Sequence, residues 1–296
     1  MPEKNVVCFG EVLWDLLPSG KVAGGAPMNV AYHLNNFGVE TQMVSRVGED
    51  ELGKQLLAFL NQKGVSTQLV QRDPEHPTGI VQVTMREGGF PEYEIVENVA
   101  WDFIALKDNA LQKVEKSDLF VFGSLAARHE TSKNTLLELV KKARFKVFDI
   151  NLRPPFYQQV LLEQLLSQAD IVKVNDEELE IVAGWYGQSG SETDQLTFVL
   201  KQYDLSGIIL TKGAKGAVFL DEDGLHEQSG FPVEVEDTIG SGDSFLAGFL
   251  SRYLKGEPPK DCLAFAGATG AMVATHRGAT PLITEDAVKR FMAKRR

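Results

Sequence analysis

Asp237-Thr238-Ile239-Gly240-Ser241-Gly242-Asp243 runs straight into an amphipathic stripe, Phe245, Leu246, Phe249, Leu250 and Tyr253, whose spacing predicts a helix. A helix start offers backbone N–H groups without intrahelical partners and a partial positive charge. Small residues at Gly240, Ser241 and Gly242 let a phosphate approach those N–H groups closely. A carboxylate at Asp243, beside such an anion site, is placed to act as a general base toward an attacking hydroxyl. The same segment reads equally as a glycine turn before a capped helix, with Asp243 in the first turn. A second constellation, Gly24-Gly25-Ala26-Pro27-Met28-Asn29, leads into a helical pattern through Ala31, Leu34 and Phe37. Its glycines permit close backbone approach to a ligand, and Asn29 offers a donor and an acceptor suited to sugar hydroxyls. Asp15 lies just past the first strand pattern, where loops at the carboxyl ends of parallel strands collect ligands. Taken singly, each of these is also ordinary turn chemistry.

The elements that must position these residues alternate along the chain. Val6-Val7-Cys8-Phe9, Asp118-Leu119-Phe120-Val121-Phe122, Lys146-Val147-Phe148-Asp149-Ile150, Ile171-Val172-Lys173-Val174 and Gly207-Ile208-Ile209-Leu210-Thr211 read as strands covered on both faces, because their apolar runs are continuous. Helical stripes lie between them, such as Leu56, Leu57 and Leu60, then Leu136, Leu137 and Val140. Alternation of this kind predicts a parallel sheet with helices on both faces. From Thr78 to Glu97 the period changes to two: Val81, Val83 and Met85 alternate with Gln82, Thr84 and Arg86, and Tyr93 and Ile95 follow a Gly88-Gly89 turn. That is a half-exposed antiparallel hairpin, a candidate lid or dimer surface, or else a plain surface hairpin.

Composition bounds the function. The chain has 296 residues, 43% hydrophobic and 24% charged, which is globular rather than disordered. The 41 Asp and Glu exceed the 30 Lys and Arg by 11, arguing against a nucleic-acid scaffold or a polybasic membrane binder. Cys8 and Cys262 sit in apolar runs and read as buried reduced thiols. No secretory leader or membrane span is legible, so a cytoplasmic protein is expected. The patterns G-x-x-x-x-G-K-[ST], H-E-x-x-H, G-x-S-x-G and C-x-x-C are absent, removing the usual support for P-loop, zincin, α/β-hydrolase and thioredoxin chemistry. His33, His76, His129 and His226 show no partner pattern and read as structural or solvated.

Together, Gly24-Gly25 with Asn29 and the Asp237-to-Asp243 segment resemble the two signatures of the ribokinase-like (PfkB) carbohydrate kinase family. The resemblance spans the chain. It takes in Asp149-Ile150-Asn151-Leu152-Arg153, Asn175 with Glu178, and Thr211-Lys212-Gly213-Ala214-Lys215-Gly216. It implies an α/β, three-layer sandwich with a mostly parallel central sheet, in one domain over 1–296, with a small antiparallel β lid from about 12–23 and 78–103. It implies phosphoryl transfer from ATP to a sugar hydroxyl, Asp243 acting as base and the N–H groups of Gly240, Ser241, Gly242 and Asp243 as anion hole. Asp15, Gly24, Gly25, Asn29, Asn151 and Arg153 are implied as sugar contacts. Asn175, Thr211, Gly213, Gly216 and Gly242 are implied on the nucleotide side, and Glu178 as holding Mg²⁺ through water. A monovalent cation such as K⁺, which many members bind, would fall at Asp237, the carbonyl of Ile239, and carbonyls of Val273, His276 and Gly278. Ser241 stands where Ala is usual and Met28 where a small residue is usual, which leaves Met28 either narrowing the pocket or packing on its helix.

Gly10-Glu11-Val12-Leu13-Trp14-Asp15 and Glu97-Asn98-Val99-Ala100-Trp101-Asp102 look most like the fructokinase branch, implying fructose as acceptor and fructose 6-phosphate as product. Trp14 and Trp101 either wall the sugar pocket or pack in the core. Arg153 keeps a keto-sugar acid such as 2-keto-3-deoxygluconate open as acceptor, or else it pairs with a structural carboxylate. A non-catalytic sugar or nucleotide sensor is the reading from another class, and a homodimer through the lid is compatible with the hairpin.

Overall fold

The computed structural model describes residues 4–17, 20–85 and 91–294. Its first half contains β1 (Asn5–Phe9), β2 (Leu13–Leu17), β3 (Gly20–Gly24), α1 (Ala26–Asn36), β4 (Glu40–Gly48), α2 (Glu51–Gln62), β5 (Val70–Asp73), β6 (Gly79–Met85) and β7 (Pro91–Ile95). Then come α3 (Asp108–Lys116), β8 (Leu119–Gly123), α4 (Glu130–Lys142), β9 (Lys146–Asp149), α5 (Gln159–Leu166), β10 (Ile171–Asn175), α6 (Asp176–Gly184) and α7 (Glu192–Gln202). The last part carries β11 (Gly207–Thr211), β12 (Gly216–Asp221), β13 (Gly224–Ser229), α8 (Ser241–Tyr253), α9 (Pro259–Val273) and α10 (Glu285–Ala293).

Nine strands form one sheet in the order β13-β12-β11-β10-β9-β8-β1-β4-β5. From β5 to β11 all neighbours pair in parallel. The continuous apolar runs follow from burial on both faces. Val7 and Phe9 of β1 join a core with Phe120, Phe122, Phe148, Val172 and Val174 beneath α3 to α7. Val6 and Cys8 point the other way, into a core with Val121, Val147, Ile171 and Ile209 beneath α1, α2 and α8. The Phe245, Leu246, Phe249 and Leu250 stripe of α8 is buried there, each fully buried side chain contributing about 1.5–3 kcal/mol. Cys8 and Cys262 are buried free thiols.

The sheet is mostly parallel, as the resemblance implies, and turns antiparallel only at its far edge, where β12 pairs antiparallel with both β11 and β13. A turn at Gly213–Lys215 replaces the helical crossover that a parallel neighbour would need. A second, four-stranded sheet has the order β3-β2-β6-β7. It is the expected small β element, built from two antiparallel hairpins joined by a parallel β2–β6 pair. The Gly88-Gly89 turn lies outside the described residues, as do the side chains of Val83, Met85 and Tyr93. Among the described residues no helix is long and apolar enough to cross a membrane.

After β1 the chain builds β4 and β5 on one side, then returns to place β8 on the other. The connections therefore leave β1 and β8 in opposite directions, opening a crevice at the carboxyl ends of these strands, where ligands bind in sheets of this kind.

Candidate active site

A cavity of about 510 Å³ occupies that crevice, within the size range of small-molecule sites. The main sheet contributes Glu11 after β1, Leu125 after β8, Asn151 and Arg153 after β9, Lys173 and Asn175 of β10, and Thr211 of β11. The small sheet closes over it with Leu13, Asp15, Val81 and Ile95, and Gly24 ends β3 at its wall. Two helix starts complete the lining: Gly25, Ala26 and Asn29 at α1, and Thr238, Ile239, Gly240, Gly242 and Asp243 at α8.

Asp243 and Asn29, 214 residues apart in sequence, meet directly: Asn29 Nδ2 donates to Asp243 Oδ2 at 2.8 Å. Asn29 Oδ1 is buried and has no partner among the described residues. Burial, then the nearby Asp149 carboxylate, pushes the Asp243 carboxyl up to about 6, against the pull of Asn29, Lys173 and Arg153. Gly240 supplies the turn before α8, in the left-handed region at φ 76°. A Cβ there would stand 2.4 Å from Ala279 Cβ, so glycine is required on both counts. The anion turn is narrower than the sequence implies, because Ser241 N–H is engaged by the Thr238 carbonyl at 3.1 Å. Among the described residues, the N–H groups of Gly242 and Asp243 meet no acceptor in the first turn, which has no side-chain cap.

Lys173 lies close beneath this turn, its Nζ 3.6 Å from where a Cβ on Gly242 would stand. It is 6% exposed and donates to both oxygens of Asp149, at 2.8 and 2.9 Å. Burial works against its charge, but Asp149, Glu178 and Asp243 outweigh that and hold the ammonium above its ordinary range. Asn175 and Glu178 form a reciprocal cap on α6: Glu178 N–H donates to Asn175 Oδ1 at 2.9 Å, and Asn175 N–H to Glu178 Oε2 at 2.9 Å. Glu178 Oε1 accepts the N–H of Leu152 at 2.8 Å. The residue is buried, not the exposed carboxylate a helix start would ordinarily carry. Burial raises its pKa, with the Lys173 charge opposing.

Asp15 sits on β2 with its carboxyl against Gly24, where a Cβ would stand 2.5 Å from Oδ2. Burial and the Asp237 charge push it up to about 6. Asn151 adopts φ 42°, and exposed Arg153 donates to the carbonyl of Leu152 at 2.9 Å. Among the described residues Arg153 makes no ion pair.

Other sequence expectations lie outside the lining. Gly213 and Gly216 belong to the β11–β12 turn beyond Thr211, and Ser241 faces inward with its Oγ buried. Of the residues implied for a monovalent cation, Asp237 and Gly278 meet: Asp237 accepts from Ile239 N–H and Gly278 N–H, both at 3.0 Å. Val273 is buried with its carbonyl accepting His276 N–H at 2.9 Å, and the His276 side chain is exposed. Trp14 donates to the Leu52 carbonyl at 3.0 Å, and Trp101 and Met28 are fully buried; all three pack in the core, and none walls the cavity. His33, buried on α1, meets the Ala279 carbonyl at 2.8 Å, and burial pushes it down to about 4, so the ring is neutral and donates. His76 pairs with Asp73 and His226 with Asp221, and His129 accepts the N–H of Thr131 at the start of α4.

Glu11 and Lys173 were not singled out in the sequence, although each carried a signal. Glu11 lies two residues past a strand, as Asp15 was argued to lie past it, and Lys173 interrupts an apolar run with a charge that must find a partner once buried.

A model of the pfkB family carbohydrate kinases matches residues 4–286. The chain is 30% identical over 308 aligned residues to "Probable fructokinase-5" of Arabidopsis thaliana, covering 94% of each protein. Its fold matches a fructokinase with bound ATP from Xylella fastidiosa, with a TM-score of 0.87, 23% identity and 99% of each chain covered. It also matches a fructokinase double mutant of Vibrio cholerae O395 in a fructose-, ADP- and potassium-bound form, with a TM-score of 0.84, 24% identity and 98% coverage of each. With the family model spanning nearly all of the chain, and this cavity at the carboxyl ends of the sheet, the protein belongs to the PfkB family of carbohydrate kinases and is a sugar phosphotransferase.

Proposed function

We propose that the enzyme transfers the γ-phosphoryl group of ATP to the 6-hydroxyl of D-fructose, giving fructose 6-phosphate and ADP. The Asn29–Asp243 contact carries this assignment: Asn29 fixes one carboxylate oxygen and leaves the other to receive a proton. As the sugar oxygen bonds to the γ-phosphorus, its proton passes to Asp243 and the bond to the β-phosphate oxygen breaks, releasing ADP. The open N–H groups of Gly242 and Asp243, with the Lys173 ammonium beneath them, face the charge that develops on the transferring group. Asp15, Gly24, Gly25, Asn29, Asn151 and Arg153 form the sugar side. Asn175, Thr211, Gly213, Gly216 and Gly242 form the nucleotide side. Fructose as acceptor is supported by the names of the relatives.

Magnesium arriving with the nucleotide neutralises phosphate charge when bound, and Glu178 suits it through water. Each Glu178 oxygen accepts one N–H and keeps a lone pair. Among the described residues no cluster of three His, Cys, Asp or Glu could hold the ion directly. The Asp237 carboxylate and the carbonyls of Ile239, Val273, His276 and Gly278 are the corresponding set for K⁺. The small sheet acts as a lid that excludes water from the transfer. The Arg153 guanidinium, which makes no ion pair among the described residues, favours a second acceptor class, keto-sugar acids, whose carboxylate it would meet.

The test is ADP release from Mg·ATP with fructose, ribose, tagatose, glucose, 2-keto-3-deoxygluconate and adenosine, with and without K⁺. Turnover confined to fructose is expected; turnover with the keto-acid alone transfers the assignment to the second class. Asp243→Asn should keep ATP binding and lose about 10²–10⁴ in kcat. Near-normal turnover in that variant removes Asp243 as base.

A further inference from the structure

Glu11 has no part in the transfer described above, yet it is 4% exposed and lines the cavity beside Asn29, Arg153 and Asp243. Its Oε1 accepts the N–H of Ala26, the first residue of α1, at 3.1 Å. Its Oε2 is buried and, among the described residues, accepts no hydrogen bond from another residue. Desolvated acceptors of this kind are rare in folded proteins, because leaving one unmet is costly; those that persist are completed by a ligand or water.

Backbone geometry fixes where this carboxylate starts. Gly10 and Gly25 adopt φ 142° and 117°. A Cβ on Gly25 would stand 2.3 Å from the Glu11 carbonyl oxygen, and one on Gly10 would stand 2.7 Å from Pro27 Cγ. The segment after β1 and the start of α1 are thus pressed together, with Oε1 clamped to the helix. Ala26 lies three residues, about one helical turn, before Asn29. Oε1 is therefore held about a turn away from the Asn29–Asp243 contact, with Oε2 on the same carboxylate.

We infer that Glu11 Oε2 accepts a hydrogen bond from a hydroxyl of the acceptor sugar other than the one phosphorylated, which makes Glu11 a determinant of acceptor specificity. The inference rests on the sugar-kinase reading with Asp243 as base. Burial pushes the Glu11 carboxyl up to about 7, with its own backbone N–H, the Ala26 N–H and the Arg153 charge opposing and Asp243 adding. Asp15 of β2 and Lys173 of β10 are the other charged groups bordering the cavity near it, and Glu178 lies on the α6 side. A hydroxyl donor favours the ionised carboxylate, so sugar capture improves as pH rises through 7.

Kinetics of the full chain, its Glu11→Ala and its Glu11→Gln variants from pH 6 to 8.5, with thermal unfolding alongside, test this. Glu11→Ala should raise the sugar KM about 10- to 100-fold, with the ATP KM within about twofold. Glu11→Gln keeps an acceptor for Ala26 N–H, so its melting temperature should be no lower than the parent's. Its sugar KM should still rise at least about fivefold, and the rise of kcat/KM near pH 7 should vanish, leaving the step near 6 that belongs to Asp243. One monodeoxy sugar should lose affinity for the parent but no further affinity for Glu11→Ala, the non-additivity of groups that touch. Sugar KM values within twofold of the parent in both variants overturn the inference while leaving the kinase reading intact. A parent enzyme that phosphorylates no sugar of the panel overturns both.

Discussion

Asp243, Asp15 and Glu11 are three carboxyls that burial holds above their usual range, at about 6, 6 and 7. At neutral pH the first two are ionised yet more basic than a surface carboxylate, which suits proton removal from a sugar hydroxyl. The same shifts act on stability with a definite sign. A carboxyl whose pKa is raised on folding binds its proton more tightly in the folded state. The stability it lends is complete below about 4 and is lost as pH climbs through its folded value. Asp243→Asn should therefore be at least as stable as the parent at pH 7.5, and that advantage should shrink to nothing by pH 4. Thermal unfolding at pH 4, 6 and 7.5 measures it; a difference independent of pH would show that Asp243 is not desolvated.

At the scale of elements, the site is a set of termini. Strand ends deliver Glu11, Asn151, Asn175 and Thr211, and helix starts deliver Asn29 and Asp243. Two glycines of one turn should respond differently. Gly240→Ala puts a side chain into a left-handed residue and against Ala279, costing about 2–4 kcal/mol of stability and displacing the start of α8, with kcat falling with it. Gly242→Ala meets only Lys173, at ordinary contact distance, so the fold should hold within about 1 kcal/mol. Its methyl instead occupies the face offered to phosphate, and the ATP KM should rise. Denaturant melts with ATP kinetics separate the two; equal behaviour would mean the turn tolerates displacement and does not approach phosphate closely. The polar start of β4, Glu40-Thr41-Gln42, hid that strand from its sequence, and its pairing with β1 is supplied by the sheet alone.

Over the whole molecule, one buried side chain helps to fasten the small sheet to the body. Arg128 donates to both oxygens of Asp102, at 2.7 and 2.8 Å, and to the carbonyl of Val96 just past β7, at 2.6 Å. Its guanidinium also lies over the Trp101 ring, 3.9 Å from the centroid. Both charged side chains are almost fully buried, 5% and 2% exposed. Removing one strands the other, so Arg128→Ala should cost about 3–5 kcal/mol. If the small sheet excludes water during transfer, the same variant should hydrolyse more ATP per sugar phosphorylated. An unchanged denaturant midpoint argues against the buried pair, and unchanged coupling argues against the lid.

The sequence by itself determined the α/β class, the main strands, the hairpin and the two glycine-rich turns. These are local matters: apolar periodicity and residues that only certain backbone conformations accept. It also marked Asn29, Asp243, Asn151, Arg153 and Asn175, through motifs whose order along the chain is distinctive. Only the tertiary structure decided that Asn29 meets Asp243 across 214 residues, that Lys173 answers Asp149 beneath the anion turn, and that Glu11, which lines the cavity, is buried with one oxygen unpartnered among the described residues. It equally decided that Trp14, Trp101 and Met28 belong to the core. Burial and partnership are properties of pairs distant in sequence, set by strand order and by the way helices lie across the sheet, and no local pattern encodes them.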